Sequence, residues 1–222
     1  MRKLLFIIFL FHFFPGVIFS QLRVSVATDI SLLRNFKPHQ QFWAFGQNVK
    51  FDFNPTAKDG LFVAMGYYSP GRFHDKLIAE AKSPATIPQQ ISFTNHAKVR
   101  LKEFSLGWKH FLKGNNEIEE GWNLYGLTGF GLVFGKAENG YSVILDTSLY
   151  NLPQQPLNGT GRFKRLSFDL GLGFEFPIAD EIYFYSDARV CIPTTEYPSK
   201  FLDENNNAPF PLMLSAGVRI LF

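Results

Sequence analysis

The side chains that could serve as bases are few and scattered. Beyond the N-terminal segment the histidines are His39, His74, His96 and His110. Nucleophilic hydrolysis needs such a base within hydrogen-bond reach of a hydroxyl or thiol, and along an extended strand the next side chain on the same face lies two residues away. Two residues after His96 comes Lys98, and two after His110 comes Leu112, so neither meets that need. Cys191 is the single cysteine, which excludes an internal disulfide and reads as packing within its strand. Gly129-Phe130-Gly131 with Gly135 is glycine-rich enough for a phosphate loop, but no helix follows and the glycines alternate along a strand. Asp203-Glu204-Asn205-Asn206-Asn207 offers oxygen ligands of the calcium kind, yet Ala208-Pro209 stands where a calcium loop needs its glycine, so a solvated loop tip is expected. Catalytic residues, metal sites and cofactors are therefore not expected. A formal charge of +3 gives no basic surface for nucleic acid.

The charged residues that carry information lie on alternating positions. From Leu166 to Phe176, Leu166, Phe168, Leu170, Leu172, Phe174 and Phe176 share one face, while Ser167, Asp169, Gly171, Gly173 and Glu175 share the other. From Leu214 to Phe222, Leu214, Ala216, Val218, Ile220 and Phe222 alternate with Ser215, Gly217, Arg219 and Leu221. Such a period of two predicts strands. Eight are expected, over 21–31, 41–54, 60–69, 97–112, 122–135, 162–176, 181–193 and 210–222. Most exceed the usual soluble strand of about five or six residues and match the roughly 9–11 that a tilted strand needs to cross a bilayer. The connections alternate: short at 55–59, 113–121 and 177–180, long at 32–40, 70–96, 136–161 and 194–209. That segregation is the signature of a membrane barrel with short turns on one side and long loops on the other. Aromatic residues fall into two belts. Phe51, Phe53, Trp108, Phe111, Trp122, Phe174, Phe176, Phe184 and Phe222 lie at the inner ends, and Trp43, Phe45, Tyr67, Phe104 and Phe134 at the outer ends.

The small-or-charged face must then line the barrel interior. It carries Arg23, Lys50, Lys109, Arg165, Arg189 and Arg219 against Asp29, Asp52, Glu103, Asp169, Glu175 and Asp187. An eight-stranded barrel is just wide enough for side chains to fill, and an unpaired buried charge is expensive, so these groups should pair. A tight turn centred near Ala179 would set Asp169 directly opposite Arg189, which predicts a carboxylate–guanidinium contact. Asp187, Arg219 and Glu175 are the other leading interior ion-pair candidates. The inward glycines, Gly171, Gly173 and Gly217 among them, make room for long side chains.

Residues 1–20 carry Arg2-Lys3, an apolar run from Leu4 to Phe14, then Pro15-Gly16 and Ser20. This pattern reads as a signal peptide cleaved near Ser20, leaving 21–222 as one domain. No later stretch is long and apolar enough for a membrane-spanning helix.

Ser215, Gly217, Ile220 and Phe222 match the C-terminal assembly signal of bacterial outer-membrane barrels: a polar residue, a glycine two later, an apolar residue three further on, and a final aromatic. With the seven strands before it, the chain resembles the small eight-stranded outer-membrane barrels of Gram-negative bacteria, the OmpA/OmpX type and the wider outer membrane protein beta-barrel domain family. The resemblance covers about 21–222 and implies an all-β fold, an antiparallel up-and-down transmembrane barrel with short periplasmic turns and long extracellular loops. It further implies insertion by the barrel-assembly machinery, contact with outer-membrane lipid, and a structural, adhesive or envelope-accessory role. A surface or envelope protein could engage loops 70–96 and 136–161. The first carries Phe73 to Lys82 as a possible short helix; the second is apolar for a loop, with Tyr141, Ile144, Leu149 and Tyr150. Two alternatives stand beside this reading. A lipid A deacylase-like enzyme would bring histidine, hydroxyl and carboxylate together at one bilayer interface. A soluble periplasmic ligand carrier would turn its apolar faces inward.

Overall fold

The computed structural model describes residues 23–36, 38–152, 156–195, 201 and 211–222. The leader, its cleavage site and the Asp203–Asn207 segment lie outside the described residues. Among the described residues the chain is all β: β1 (Arg23–Asn35), β2 (Phe42–Asn54), β3 (Asp59–Ala81), β4 (Gln90–Lys113), β5 (Asn123–Tyr141), β6 (Tyr150–Asn151), β7 (Gly159–Ala179), β8 (Ile182–Pro193) and β9 (Leu212–Leu221). Consecutive long strands pair antiparallel, and β1 pairs with both β2 and β9, so eight strands close on themselves without a free edge. The two-residue β6 adds only to the far end of β3.

Alternation decides which side chain goes where. Along β7 the inward residues Phe163, Arg165, Ser167, Asp169 and Glu175 are buried, while Leu166, Leu170, Leu172 and Phe174 stand exposed on the outside. The same inversion holds around the ring: Ile30, Val49, Met65, Leu106, Phe130 and Leu214 are exposed, and Ser25, Asp29, Asn48, Asp52, Glu103 and Arg219 are buried. Monomeric soluble proteins rarely expose apolar patches of more than a few hundred Å²; here an apolar band encircles the molecule. The belts take their expected places on the outside, with one correction. Phe111 points into the lumen and is buried, stacked edge-on against Tyr125, because it shares the parity of Lys109.

Close fits replace volume inside. Phe163 lies directly opposite Gly135, and a Cβ on that glycine would come within 1.9 Å of the ring. Tyr125 covers Gly173 in the same way across the same strand pair, at 2.4 Å. Glycine here is a slot for a neighbouring ring, the pairing that pins register between strands.

The sequence reading is corrected at the outer ends, taken as the end opposite Arg23 and Leu221. Residues 70–96 are not a loop with a helix: β3 continues to Ala81 and β4 begins at Gln90, paired residue by residue from Gly71↔Val99 to Glu80↔Gln90. Pro70 sits in a bulge between Tyr68 and Gly71, where the ladder needs no donor from it. The bulge leaves both flanking residues facing inward. Likewise β5 runs on to Tyr141 and β7 starts at Gly159. In the β7–β8 hairpin a register shift between Pro177 and Ala179 sets Asp169 opposite Cys191 and Arg189 opposite Gly171, two residues away from the expected pairing.

Candidate functional site

Two regions concentrate polar and packed groups: the lumen, and a lobe that rises beyond the barrel's outer end. Of the twelve charges assigned inward, eleven are buried, and Arg23 lies at the inner rim paired with Glu117 at 3.0 Å. They form tiers.

At the inner tier Glu175 accepts from Lys109 Nζ at 2.9 Å, from Arg219 Nη2 at 2.8 Å and from Asn123 Nδ2 at 3.0 Å. Lys109 lies 4.1 Å from the centre of the Tyr125 ring and Arg219 4.1 Å from that of Tyr183. Rings so placed attract a cation through their quadrupole. The turn after β4 folds back into this mouth. Gly114 takes φ 78°, a conformation that suits glycine, and the Asn116 carbonyl accepts from Arg219 Nη2 at 3.1 Å.

In the middle tier Lys50 pairs with Asp187 and, at 3.5 Å, with Asp29. Asp29 also accepts from Asn48 Nδ2 at 2.6 Å and from the Tyr185 hydroxyl at 2.5 Å. The outer tier centres on Arg189, which donates to Ser105 Oγ at 3.0 Å and Glu103 Oε2 at 3.2 Å and lies 3.6 Å from Asp169 Oδ2. Asp169 and Arg189 are thus both inward and near each other, although on a diagonal rather than directly opposite. Glu103, Asp169 and Cys191 bring three ligand atoms within 4.8 Å, but the Arg189 guanidinium sits beside both carboxylates, 3.2 Å from Glu103 and 3.6 Å from Asp169, and its charge opposes a bound cation. This donor set is part of the outer ionic tier. Arg165 closes the outer mouth by donating to the Thr195 carbonyl at 2.9 Å.

The remaining lumenal space is small. One void among the tiers is about 20 Å³, lined by Lys50, Asp52, Lys109 and Asp187, and another beneath the outer mouth is about 50 Å³. A water needs about 10–15 Å³ on this measure, so each of these two voids has room for a few waters at most.

The lobe has its own core. Ala79, Phe93 and Tyr150 are buried against Leu77, Ile91, Tyr141 and Leu145. The 142–149 segment therefore folds over the inner face of the β3–β4 hairpin. Tyr150 donates its hydroxyl to the Pro88 carbonyl at 3.0 Å, Lys82 Nζ donates to the Thr147 carbonyl at 2.6 Å, and Tyr141 donates to the Pro156 carbonyl at 2.5 Å. Ser148 donates from its hydroxyl and its amide to Asp146, which holds that carboxyl below its usual range. Of the four apolar residues singled out in 136–161, Tyr141 and Tyr150 build this core, whereas Ile144 and Leu149 remain exposed. Loops 70–96 and 136–161 form one packed unit.

Among the described residues, the histidines do not assemble a hydrolytic centre. His110 Nδ1 lies 2.6 Å from Asp59 Oδ1, and Thr56 donates to the other oxygen of Asp59 at 3.1 Å, so the hydroxyl is bonded to the carboxylate and not to the imidazole. His74 and His96 face each other at 2.8 Å on the outside of the lobe, and His39 contacts Asp75 at 3.1 Å. In the C-terminal strand Ser215 is buried and faces inward. Gly217 lies opposite Asp29, where a Cβ would come within 2.6 Å of the Asp29 Cβ, and Ile220 and Phe222 are exposed on the outer surface.

A closed ring of eight antiparallel strands, polar within and apolar without, is the fold of the small outer-membrane barrels of the OmpA/OmpX type. Solved structures share it. Neisserial surface protein A is 10% identical, with 90% of this chain and 97% of that one aligned at a TM-score of 0.55. Ail of Yersinia pestis, solved in complex with the heparin analogue sucrose octasulfate, is 12% identical over 91% of this chain and all of its own, at 0.51. OprG of Pseudomonas aeruginosa is 10% identical over 90% and 96%, also at 0.51. No family model matches the chain, and no curated protein matches it in sequence.

Proposed function

We propose that the chain is an integral outer-membrane protein of a Gram-negative bacterium, exported by a leader cleaved near Ser20. Its barrel is a sealed, non-enzymatic scaffold that holds the lobe at the cell surface for a structural, adhesive or envelope-accessory role. One observation carries this reading: the burial pattern is inverted relative to a soluble protein, with the ionic tiers inside and the apolar band outside. Only a hydrocarbon surround makes that inversion stable. The same inversion weighs against a soluble ligand carrier, which needs its apolar side chains around the cavity. The lobe supports a role in display. Eight residues of β3 follow Phe73, which still packs in the barrel core, and at about 3.3 Å per residue and a tilt near 40° they rise roughly 20 Å above it. A long loop would give comparable reach, but a packed hairpin gives a fixed surface.

Contact with outer-membrane lipid follows from the outer band. Ser215, Gly217, Ile220 and Phe222 in the closing strand, matching the assembly signal of such barrels, support insertion through the barrel-assembly machinery. The test is fractionation of expressing cells, followed by electrophoresis with and without boiling. Recovery in the outer-membrane fraction with a heat-shifted band supports the proposal. Release without detergent, as a band that boiling does not move, refutes it.

A further inference from the structure

Every interior cation has a carboxylate or carbonyl partner, but the outer surface is built differently at one place. On β4, β5 and β7, at and just beyond the outer aromatic belt, Lys98, Arg100, Lys102, Lys136, Arg162 and Lys164 all point outward. Register places them side by side. Arg100 is opposite Lys136, which is opposite Arg162; one row nearer the barrel centre, Lys102 is opposite Phe134, which is opposite Lys164. Directly opposite residues on one face have Cβ atoms about 4.5–5.5 Å apart, and like charges so placed are destabilising. The one carboxylate in these rows is Glu138, opposite Lys98 and bonded to Lys136 at 2.6 Å. Six cations on these three strands, with the exposed Arg72 of β3 opposite Lys98 as a seventh, thus share a single built-in anion, so a bound anion would relieve their mutual repulsion.

The surroundings specify what kind of anion. The cluster borders a surface depression of about 900 Å³ whose walls include the Tyr67 and Phe134 rings beside Arg100, Lys102, Arg162 and Lys164. Successive rows are about 6.6 Å apart along the strand, so with a tilt near 40° the Arg100–Lys136–Arg162 row lies about 5 Å above the Phe134 row, the depth at which lipid headgroups begin. They face sideways, toward the leaflet, and not upward with the lobe. An occupant that fits has anionic oxygens and an apolar tail continuous with them.

We infer that this face binds the phosphate groups of a lipid in the leaflet around the barrel's outer end, with Arg100, Lys136 and Arg162 as the central contacts. The inference rests on the membrane reading above. Guanidinium groups suit it because they bind phosphate oxygens in bidentate fashion.

The test uses the full mature barrel, purified in neutral detergent, with binding followed by native mass spectrometry. The added lipids are diphosphoryl lipid A, its dephosphorylated form, and phosphatidylethanolamine. Two variants of equal charge are compared: R100Q/R162Q in the cluster, and K58Q/K113Q at the inner end, where Lys58 and Lys113 are exposed. The expected result is preferential binding of diphosphoryl lipid A, weakened about a hundredfold in R100Q/R162Q, since two charged contacts are lost and each is worth about tenfold, and unchanged in K58Q/K113Q. Equal loss in both variants, or equal binding of the dephosphorylated lipid, overturns the inference. Displacement by millimolar inorganic phosphate would assign the cluster to free phosphate. Cluster-dependent retention on heparin with unchanged lipid binding would assign it to a soluble polyanion. Either outcome overturns the lipid assignment. Boiling-dependent mobility is checked on each sample: its loss in the wild type would strike at the membrane reading, whereas a heat-shifted barrel that binds no lipid defeats this inference alone.

Discussion

Replacing Glu175 by glutamine should destabilise the barrel more than any other single isosteric change in the lumen. The carboxylate is fully buried and holds two cations, Lys109 and Arg219, at 2.9 and 2.8 Å. Breaking a buried ion pair by removing one partner costs about 3–5 kcal/mol, because the other charge is left uncompensated. Here two charges lose the same partner, so the upper part of that range would follow if nothing else held them. Their aromatic neighbours remain, however: a desolvated cation over a ring retains about 2 kcal/mol, and Arg219 keeps the Asn116 carbonyl. The net loss is therefore about 3 kcal/mol, a factor of roughly 100 or more in the folding equilibrium. Reversible urea unfolding in phospholipid vesicles can measure it, followed by tryptophan fluorescence, since Trp43, Trp108 and Trp122 are all exposed on the outer surface. E117Q serves as the reference, because Glu117 pairs with Arg23 at the rim with both side chains partly in solvent, and exposed pairs contribute under about 1 kcal/mol. A K109M/E175Q double variant should recover part of the loss by removing one orphaned charge. Equal unfolding midpoints for E175Q and E117Q would refute the ion-pair reasoning.

Three further outcomes follow from particular contacts. Gly135→Ala should destabilise by about 1–3 kcal/mol through the Phe163 ring, whereas Gly140→Ala, with open space around its Cβ, should stay within about 0.5 kcal/mol; the same urea titration compares them. Tyr150→Ala should open the lobe core without touching the barrel, so thermolysin should cut within 142–149 while the heat-shifted band persists; an uncut lobe would show that Tyr150 does not hold it. In planar bilayers the wild-type protein should give no steady conductance above background, and stable open channels would contradict a sealed lumen.

The sequence carried the fold at one level and withheld it at another. Strict alternation assigns a face to every strand residue, because a slip of one residue would turn ionic groups toward lipid and apolar ones toward the lumen. That made the inward charges legible one by one. Pairings across the lumen were not: Lys50 with Asp187, or Lys109 and Arg219 with Glu175, depend on strand tilt and shear, which no local pattern records. Only the neighbouring-strand contact of Asp169 with Arg189 was approachable, and even there the shift at Pro177–Ala179 moved the register by two, a change that preserves the face and alters the partner. The β3–β4 extension was misread because Pro70 and Gly71 resemble a strand end, and Leu77-Ile78-Ala79-Glu80-Ala81 favours helix locally. Pairing with 90–98 and the Tyr150 core override that propensity. The basic cluster on β4, β5 and β7 became visible only once register set Arg100, Lys136 and Arg162 in one row.

Whether the outward apolar side chains meet lipid can be read at Leu172, which is exposed at mid-barrel. In a Cys191→Ser background, a nitroxide attached at L172C in reconstituted vesicles should collide freely with oxygen, which partitions into hydrocarbon, and hardly at all with a water-soluble nickel complex. Strong broadening by the nickel complex, or protection from both reagents as in a dry protein core, would contradict a membrane-facing surface.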